Sequence, residues 1–339
     1  MIESSPLAGA DYPETWDQFI DWFPDEGSCL KYLERLRWPE GFVCPHCGVK
    51  AQPYRASRGR LVCRACRMQC SIIAGTVFEK TRTPLRSWFA AAWYVTSQKH
   101  GVSALGLQRV LGLGSYQTAW AILHRLRRAM VRPDRERLSG VVEVDETYVG
   151  GRDTGTRRAR RVARLNFKVP PLENTKSVVV IAVEVLEPKG FGRIRLRRVE
   201  AAAEQNVLPF LCECIEPGSR VHTDGSWIYR SLHEHGYQRE RTVILGAVDP
   251  AHVSMPAVHR VASLLKRWLL GTHQGSVQPS QLDYYLDEFT FRFNRRSARS
   301  RGLLFYRLLA QAVVTEPVTY RAITATKPQP QHLGGGGAK

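Results

Sequence analysis

No stretch of this 339-residue chain is apolar over the ~20 consecutive positions that a membrane span needs. The opening residues, MIESSPLAGADYPETW, lack the basic n-region and the apolar h-region of a secretory signal. No internal repeat is present, which removes solenoids and propellers. Acidic residues are few beside basic ones, 31 Asp and Glu against 49 Lys and Arg, leaving a formal charge of +18. These absences predict a soluble, intracellular protein with no membrane partner, and so large a basic excess points to a polyanion, nucleic acid first. The composition, 43% apolar, is globular, and 339 residues exceed what one core usually organises, so two or three units are expected.

Four of the eight cysteines form two pairs, CPHC (Cys44, Cys47) and CRAC (Cys63, Cys66), fifteen residues apart. Without an export signal this spacing reads as a metal site, not a disulfide framework. Four thiolates at the corners of a tetrahedron suit a structural Zn²⁺. Cys70 is an alternative ligand, His46 sits inside a knuckle as a surface group, and Cys29, Cys212 and Cys214 read as ordinary thiols.

Along the chain, residues 1–40 form a helical lead-in with Phe19, Phe23, Leu30 and Leu33 on one face, and 41–72 hold the ribbon. Residues 80–132 turn helical: "SALGLQRVL", a "GLGS" break, then "SYQTAWAILHRLRRAM" opening at Ser115. A short helix, a glycine turn and a longer helix outline either a helix-turn-helix or an ordinary helical hairpin. In the first case Ala119, Leu123, Leu126 and Met130 face inward, Tyr116 and Gln117 enter the major groove, and Arg125, Arg127 and Arg128 extend to phosphates. From 140 to 312 three strands, a helix, a strand and further helices predict an α/β domain, antiparallel strands first and a parallel strand after a crossover. That order suits a ribonuclease-H-like fold among several others. A basic loop (152–170) is read as a DNA contact or a solvated insert, and 326–339 as a flexible tail.

In "VVEVDETYVGG", Glu143 and Asp145 share one strand face while Val142 and Val144 take the other. Asp224 in "RVHTDGSWIY" repeats the design, a short strand ending on an aspartate before Gly225. Carboxylates at buried strand ends need a partner, and two on neighbouring strands can share Mg²⁺ or Mn²⁺ across a phosphodiester.

With these motifs in hand, the chain resembles the zinc-ribbon DDE-type insertion-sequence transposases of bacteria and archaea, prokaryotic relatives of the Merlin elements. "GFVCPHCG", "CRAC", "AGTVFEKTRTPLRSWF", "LGLGSYQTAWAILHRLRRAM", "VEVDETYVGG", "HTDGSWIY", "SLLKRWLLGTHQG" and "LDEFTFRFNRR" occur in family order over roughly residues 20 to 312. The resemblance implies a ribonuclease-H-like catalytic domain behind a zinc ribbon and a helix-turn-helix-like segment, acting in the prokaryotic cytoplasm on the nucleoid. It implies metal-dependent cleavage of the element's terminal inverted repeats and joining to target DNA by a homo-oligomer, with Asp145 and Asp224 as the first two catalytic residues. Many relatives place glutamate or asparagine at the third position, seven residues before a lysine, and some place histidine. Counting back from Lys266, that position is His259. Seven residues are just under two helical turns, so both side chains share a face, with Met255, Val258, Ala262 and Leu265 packing inward. His259 is then a metal ligand, or it hydrogen-bonds a phosphate or an aspartate while Glu143 or the remoter Glu288 supplies the carboxylate. Lys266 and Arg267 read as phosphate contacts, and so do Arg292, Arg295 and Arg296 of "FRFNRR". The competing reading is a zinc-ribbon, helix-turn-helix DNA-binding protein whose catalytic domain is degenerate.

Overall fold

The computed structural model describes residues 5–132, 135–150, 176–186, 188, 190–242, 254–275 and 277–325. The basic loop and the C-terminal tail lie outside these. Two compact units divide the chain, one of residues 1–133 with 297–339, the other of 134–296. Among the described residues no helix is long and apolar enough to cross a membrane.

The first unit opens with α1 (Trp16–Trp22), whose first turn is capped by the Thr15 hydroxyl, and α2 (Glu26–Arg37), which has a reciprocal Asp25–Ser28 capping box. Three short antiparallel strands follow, β1 (Tyr54–Arg55), β2 (Arg60–Val62) and β3 (Gln69–Ser71). Next is α3 (Leu85–Ser97), a helix apolar on most sides that buries Trp88, Phe89, Ala91, Ala92 and Val95. Ser103 caps α4 (Ala104–Leu111), Gly112 ends it with a left-handed φ of 61°, and Ser115 caps α5 (Tyr116–Arg128) as its hydroxyl position predicts. The chain returns to this unit after residue 296. There α9 (Arg301–Ala312) places Phe305 among Phe19, Phe23, Tyr32, Phe89 and Trp93, ring centroids 5.5–6.3 Å away. Gly302 is required there, since a Cβ would lie 1.9 Å from the Pro13 carbonyl oxygen. This corrects the expectation that the catalytic domain extends to 312. The short α10 (Tyr320–Thr324) lies on α5, its Tyr320 ring 6.0 Å from Trp120.

The second unit is a five-stranded mixed sheet ordered β6-β5-β4-β7-β8. Its strands are β4 (Val141–Val149), β5 (Ser177–Val185), β6 (Phe191–Val199), β7 (Arg220–Asp224) and β8 (Gln238–Thr242). β4, β5 and β6 are antiparallel, whereas β4, β7 and β8 run parallel after the helical crossover α6 (Glu204–Cys214). β5 is apolar on both faces because both are covered. One face packs Val142, Val144, Val178 and Val180 against α6 and a 3₁₀ helix, Trp227–His235. On the other, Val179, Ile181 and Val183 meet α7 (Pro256–His273) and α8 (Leu282–Asn294).

Candidate functional site

The two cysteine knuckles close alike. Cys44 N–H donates to the Val49 carbonyl and Gly48 N–H to that of Cys44; Cys63 N–H donates to Met68 and Arg67 N–H to Cys63. The residue after each second cysteine, Gly48 or Arg67, takes a left-handed φ, 73° and 60°. Sulfur atoms of Cys44 and Cys66, and of Cys47 and Cys63, lie 3.7 Å apart. A tetrahedron with Zn–S bonds of about 2.3 Å has edges of about 3.8 Å, so the four thiols have the shape of a structural zinc site. A backbone N–H from Cys66 is the largest influence on Cys63, whose thiol is brought down to about 7. Cys70 and His46 lie outside the four-cysteine cluster.

In the second unit, β4 pairs with β7 from Val141–Arg220 to Val144–Thr223, so one step further along the ladder sets Asp145 beside Asp224. β7 ends there while β4 runs on to Val149. Both aspartates therefore lie at the carboxyl ends of parallel strands, where ligands of open α/β sheets are held. A cleft of about 630 Å³ lies there, lined by Asp145, Glu146, Tyr148, Lys176, His259, Ser263 and Lys266 among others. His259 and Lys266 thus share the helical face that their spacing predicts, while Met255, Val258 and Leu265 are buried and Ala262 partly so. Asp224 is not among the lining residues, and its tie to Asp145 is electrostatic. Burial first, then the Asp224 charge, hold the Asp145 carboxyl up to about 6, while Lys266 pulls the other way. Among the described residues the four cysteines are the one group of three or more side chains drawn together tightly enough to hold an ion.

Three roles here are invisible to spacing. Glu143 is buried, and its Oε2 accepts the Val258 N–H at 2.9 Å. α7 has no side-chain cap of its own, so this carboxylate closes the helix's first turn. Glu146, on the opposite strand face from Asp145, accepts the Tyr229 hydroxyl at 2.7 Å, and burial raises its carboxyl to about 7. Arg239 of β8 grips the turn after the second aspartate, donating to the carbonyls of Asp224 (3.3 Å) and Ser226 (2.9 Å). Glu288 is not brought to the cleft: it is buried in α8 and accepts Arg292 at 2.8 Å.

On the first unit Tyr116 and Gln117 stand exposed at the start of α5. Arg127 does not extend from the helix; it is 1% exposed, because the buried face of α5 is wider than the apolar stripe. Arg125 and Arg128 are half-buried, and Arg125 donates to the Val318 carbonyl at 3.1 Å. A cleft of about 270 Å³ beside α5 adds two cations, Lys80 and Arg82, to Gln117, Thr118 and Arg125. In the second unit Arg267 is exposed. The arginines of "FRFNRR" are not the free contacts expected. Arg292 pairs with Glu288, Arg295 lies over the Phe291 ring at 4.2 Å, and Arg296 donates to the Phe191, Gly192 and Phe293 carbonyls. Aromatic–cation alternation buries the rings, and the guanidinium groups fold back over them.

A four-cysteine ribbon in a strongly basic chain defines a zinc-ribbon protein suited to a polyanionic partner. Known families make the class particular: residues 137–294 match the ISXO2-like transposase domain and residues 24–69 the transposase zinc-ribbon domain. The chain therefore carries a transposase zinc-ribbon domain followed by an ISXO2-like transposase domain. A relative from Halobacterium salinarum, described as an uncharacterized protein in transposable element ISH50, is 28% identical over 281 residues, covering 80% of this chain and 92% of that protein.

Proposed function

We propose that this transposase is catalytically competent, with Asp145 and Asp224 as its metal-binding carboxylates, His259 as third ligand, and Lys266 holding the DNA backbone. The observation that carries the reading is the register of β4 and β7, which sets two aspartates side by side at parallel strand ends next to a cleft that His259 and Lys266 also line. A half-buried carboxyl pushed up by burial and by its neighbour's charge favours a positive partner, which a divalent cation would supply. Oxygen donors suit Mg²⁺, and the imidazole makes Mn²⁺ acceptable. When bound, such ions stabilise the attacking and leaving oxygens of an in-line phosphoryl displacement. Glu143 fixes the start of α7 and thereby the height of His259 above the strand, Tyr229 fixes Glu146, and the exposed Lys266 ammonium neutralises phosphate. The order of the sheet supports a ribonuclease-H-like domain, and the motif order supports kinship to the Merlin elements. Contacts to terminal repeats fall to Tyr116, Gln117, Arg125 and Arg128 with Lys80 and Arg82 beside them, in a homo-oligomer assembled on DNA.

The test is a cleavage and joining assay on the DNA flanking the coding sequence. Asp145→Asn and Asp224→Asn abolish cleavage and leave DNA binding nearly intact, because neither removes a cation. His259→Ala cripples cleavage, and His259→Glu retains it with preference moved from Mn²⁺ toward Mg²⁺. A wild-type protein that binds these ends yet cuts nothing with either metal defeats the proposal in favour of a DNA-binding protein with a degenerate catalytic domain.

A further inference from the structure

Three residues beyond Asp224, Trp227 presents 62% of its surface to solvent. Trp16 is also exposed, but it stacks on Phe19 at 4.8 Å. Trp227 meets the Arg230 guanidinium, 5.6 Å from the ring centroid, and Arg230 is itself tethered to Glu204 at 3.2 Å. The backbone that carries this ring is held at both ends. On one side Ser226 N–H donates to the Asp224 carboxylate at 2.9 Å, and Arg239 grips the Ser226 carbonyl. On the other, Ile228 and Tyr229 are buried, with the Tyr229 hydroxyl fixed on Glu146, the neighbour of Asp145. A large apolar ring is thus kept in water on a turn tied to Asp224 at one end and to Glu146, the neighbour of Asp145, at the other. An exposed indole on a mobile loop is commonplace; one on a turn pinned to the site's own carboxylates is a preformed platform.

We infer that Trp227 is a base-stacking subsite that takes an unpaired nucleobase of the DNA strand being cut. The inference rests on the transposase reading above. The chemistry selects the ligand: the indole offers a π-face, Arg230 at its edge adds a cation for the adjoining phosphate, and stacking of this kind tolerates any base. A paired base keeps its faces covered by its neighbours, so the platform discriminates against intact duplex. In cleavage, the ring holds open the nucleotide next to the scissile phosphate, and Asp145 and Asp224 then face an accessible backbone.

The test uses the full-length protein without divalent metal, binding labelled oligothymidylate, whose bases are unpaired, or a fully paired duplex of equal length. Trp227→Ala loses about tenfold in affinity for oligothymidylate and little for duplex, whereas Trp227→Tyr keeps most of the single-strand affinity. With metal added, Trp227→Ala slows cleavage of a paired element end and recovers on an end whose bases at the cut are mismatched. Equal losses on both DNAs, or none, overturn the stacking site. A wild-type protein that shows the binding discrimination but cleaves nothing upholds the stacking site and defeats the catalytic reading instead. Wild-type cleavage with a Trp227→Ala protein that behaves identically does the reverse.

Discussion

Replacing Asp145 by asparagine should make the metal-free protein more stable while removing its activity. In the folded chain this carboxyl stands at about 6 instead of an ordinary 3.8, through burial and then the charge of Asp224. The folded state therefore holds the proton more tightly than the unfolded state. The stability from this group is fully present below the unfolded value of 3.8 and is lost as pH rises through about 6. At 1.36 kcal/mol per unit the full difference is about 3 kcal/mol. Asparagine carries no charge at any pH, so Asp145→Asn escapes that loss. Its advantage over wild type should grow from about 0.5 kcal/mol near pH 4 to about 3 kcal/mol near pH 8. Urea unfolding of both proteins in chelator measures the gap, and the cysteine ribbon contributes equally to the two at each pH. Adding Mn²⁺ near neutral pH should reverse the ranking, because an ion that binds only the folded wild-type site stabilises that protein alone. An asparagine variant no more stable than wild type at about pH 8 without metal would refute the buried, repelled carboxylate.

Metal analysis of reduced protein should find about one zinc per chain, absent in Cys63→Ser, which also unfolds the ribbon. Glu143→Ala leaves the Val258 N–H without its 2.9 Å acceptor and should cost about 1–3 kcal/mol in denaturant unfolding, with Glu143→Gln losing less. A Glu143→Gln protein of wild-type stability that no longer responds to divalent metal would make Glu143 a ligand and not a cap. DNA affinity should fall steeply with salt, and combining Lys80→Ala with Arg82→Ala should flatten the log–log slope by about 2, whereas an unchanged slope removes the small cleft beside α5 from the interface.

Much of the site was legible because its signals are local. Cysteine spacing, strand alternation placing Asp145 opposite Val144, the Ser115 cap and the His259–Lys266 step each depend on a few neighbouring residues. The rest depends on contacts distant in sequence. Glu143 and Val258 are 115 positions apart, so alternation gave the carboxylate's face but not the helix end it meets. β8, "QRERT", is a mostly exposed edge strand with no apolar alternation, and nothing in its composition marks it as a strand. Charge alone sends Arg127 outward to phosphates, yet α5 is enclosed on more sides than its apolar residues indicate. The 297–312 segment follows the catalytic unit without a linker signal, and only the ring of Phe305 among those of Phe19, Phe23 and Phe89 reveals its allegiance.

That allegiance bears on how the protein comes off the ribosome. The N-terminal unit has its aromatic centre completed by Phe305, and truncating such a buried ring costs about 3–5 kcal/mol. Its zinc ribbon and α4–α5 pair are translated first, yet the unit that contains them can close only after the whole second unit has emerged. A prematurely terminated chain would therefore lack a finished ribbon-bearing unit. Synthesis order and fold together make completion of the first unit wait on translation of the second.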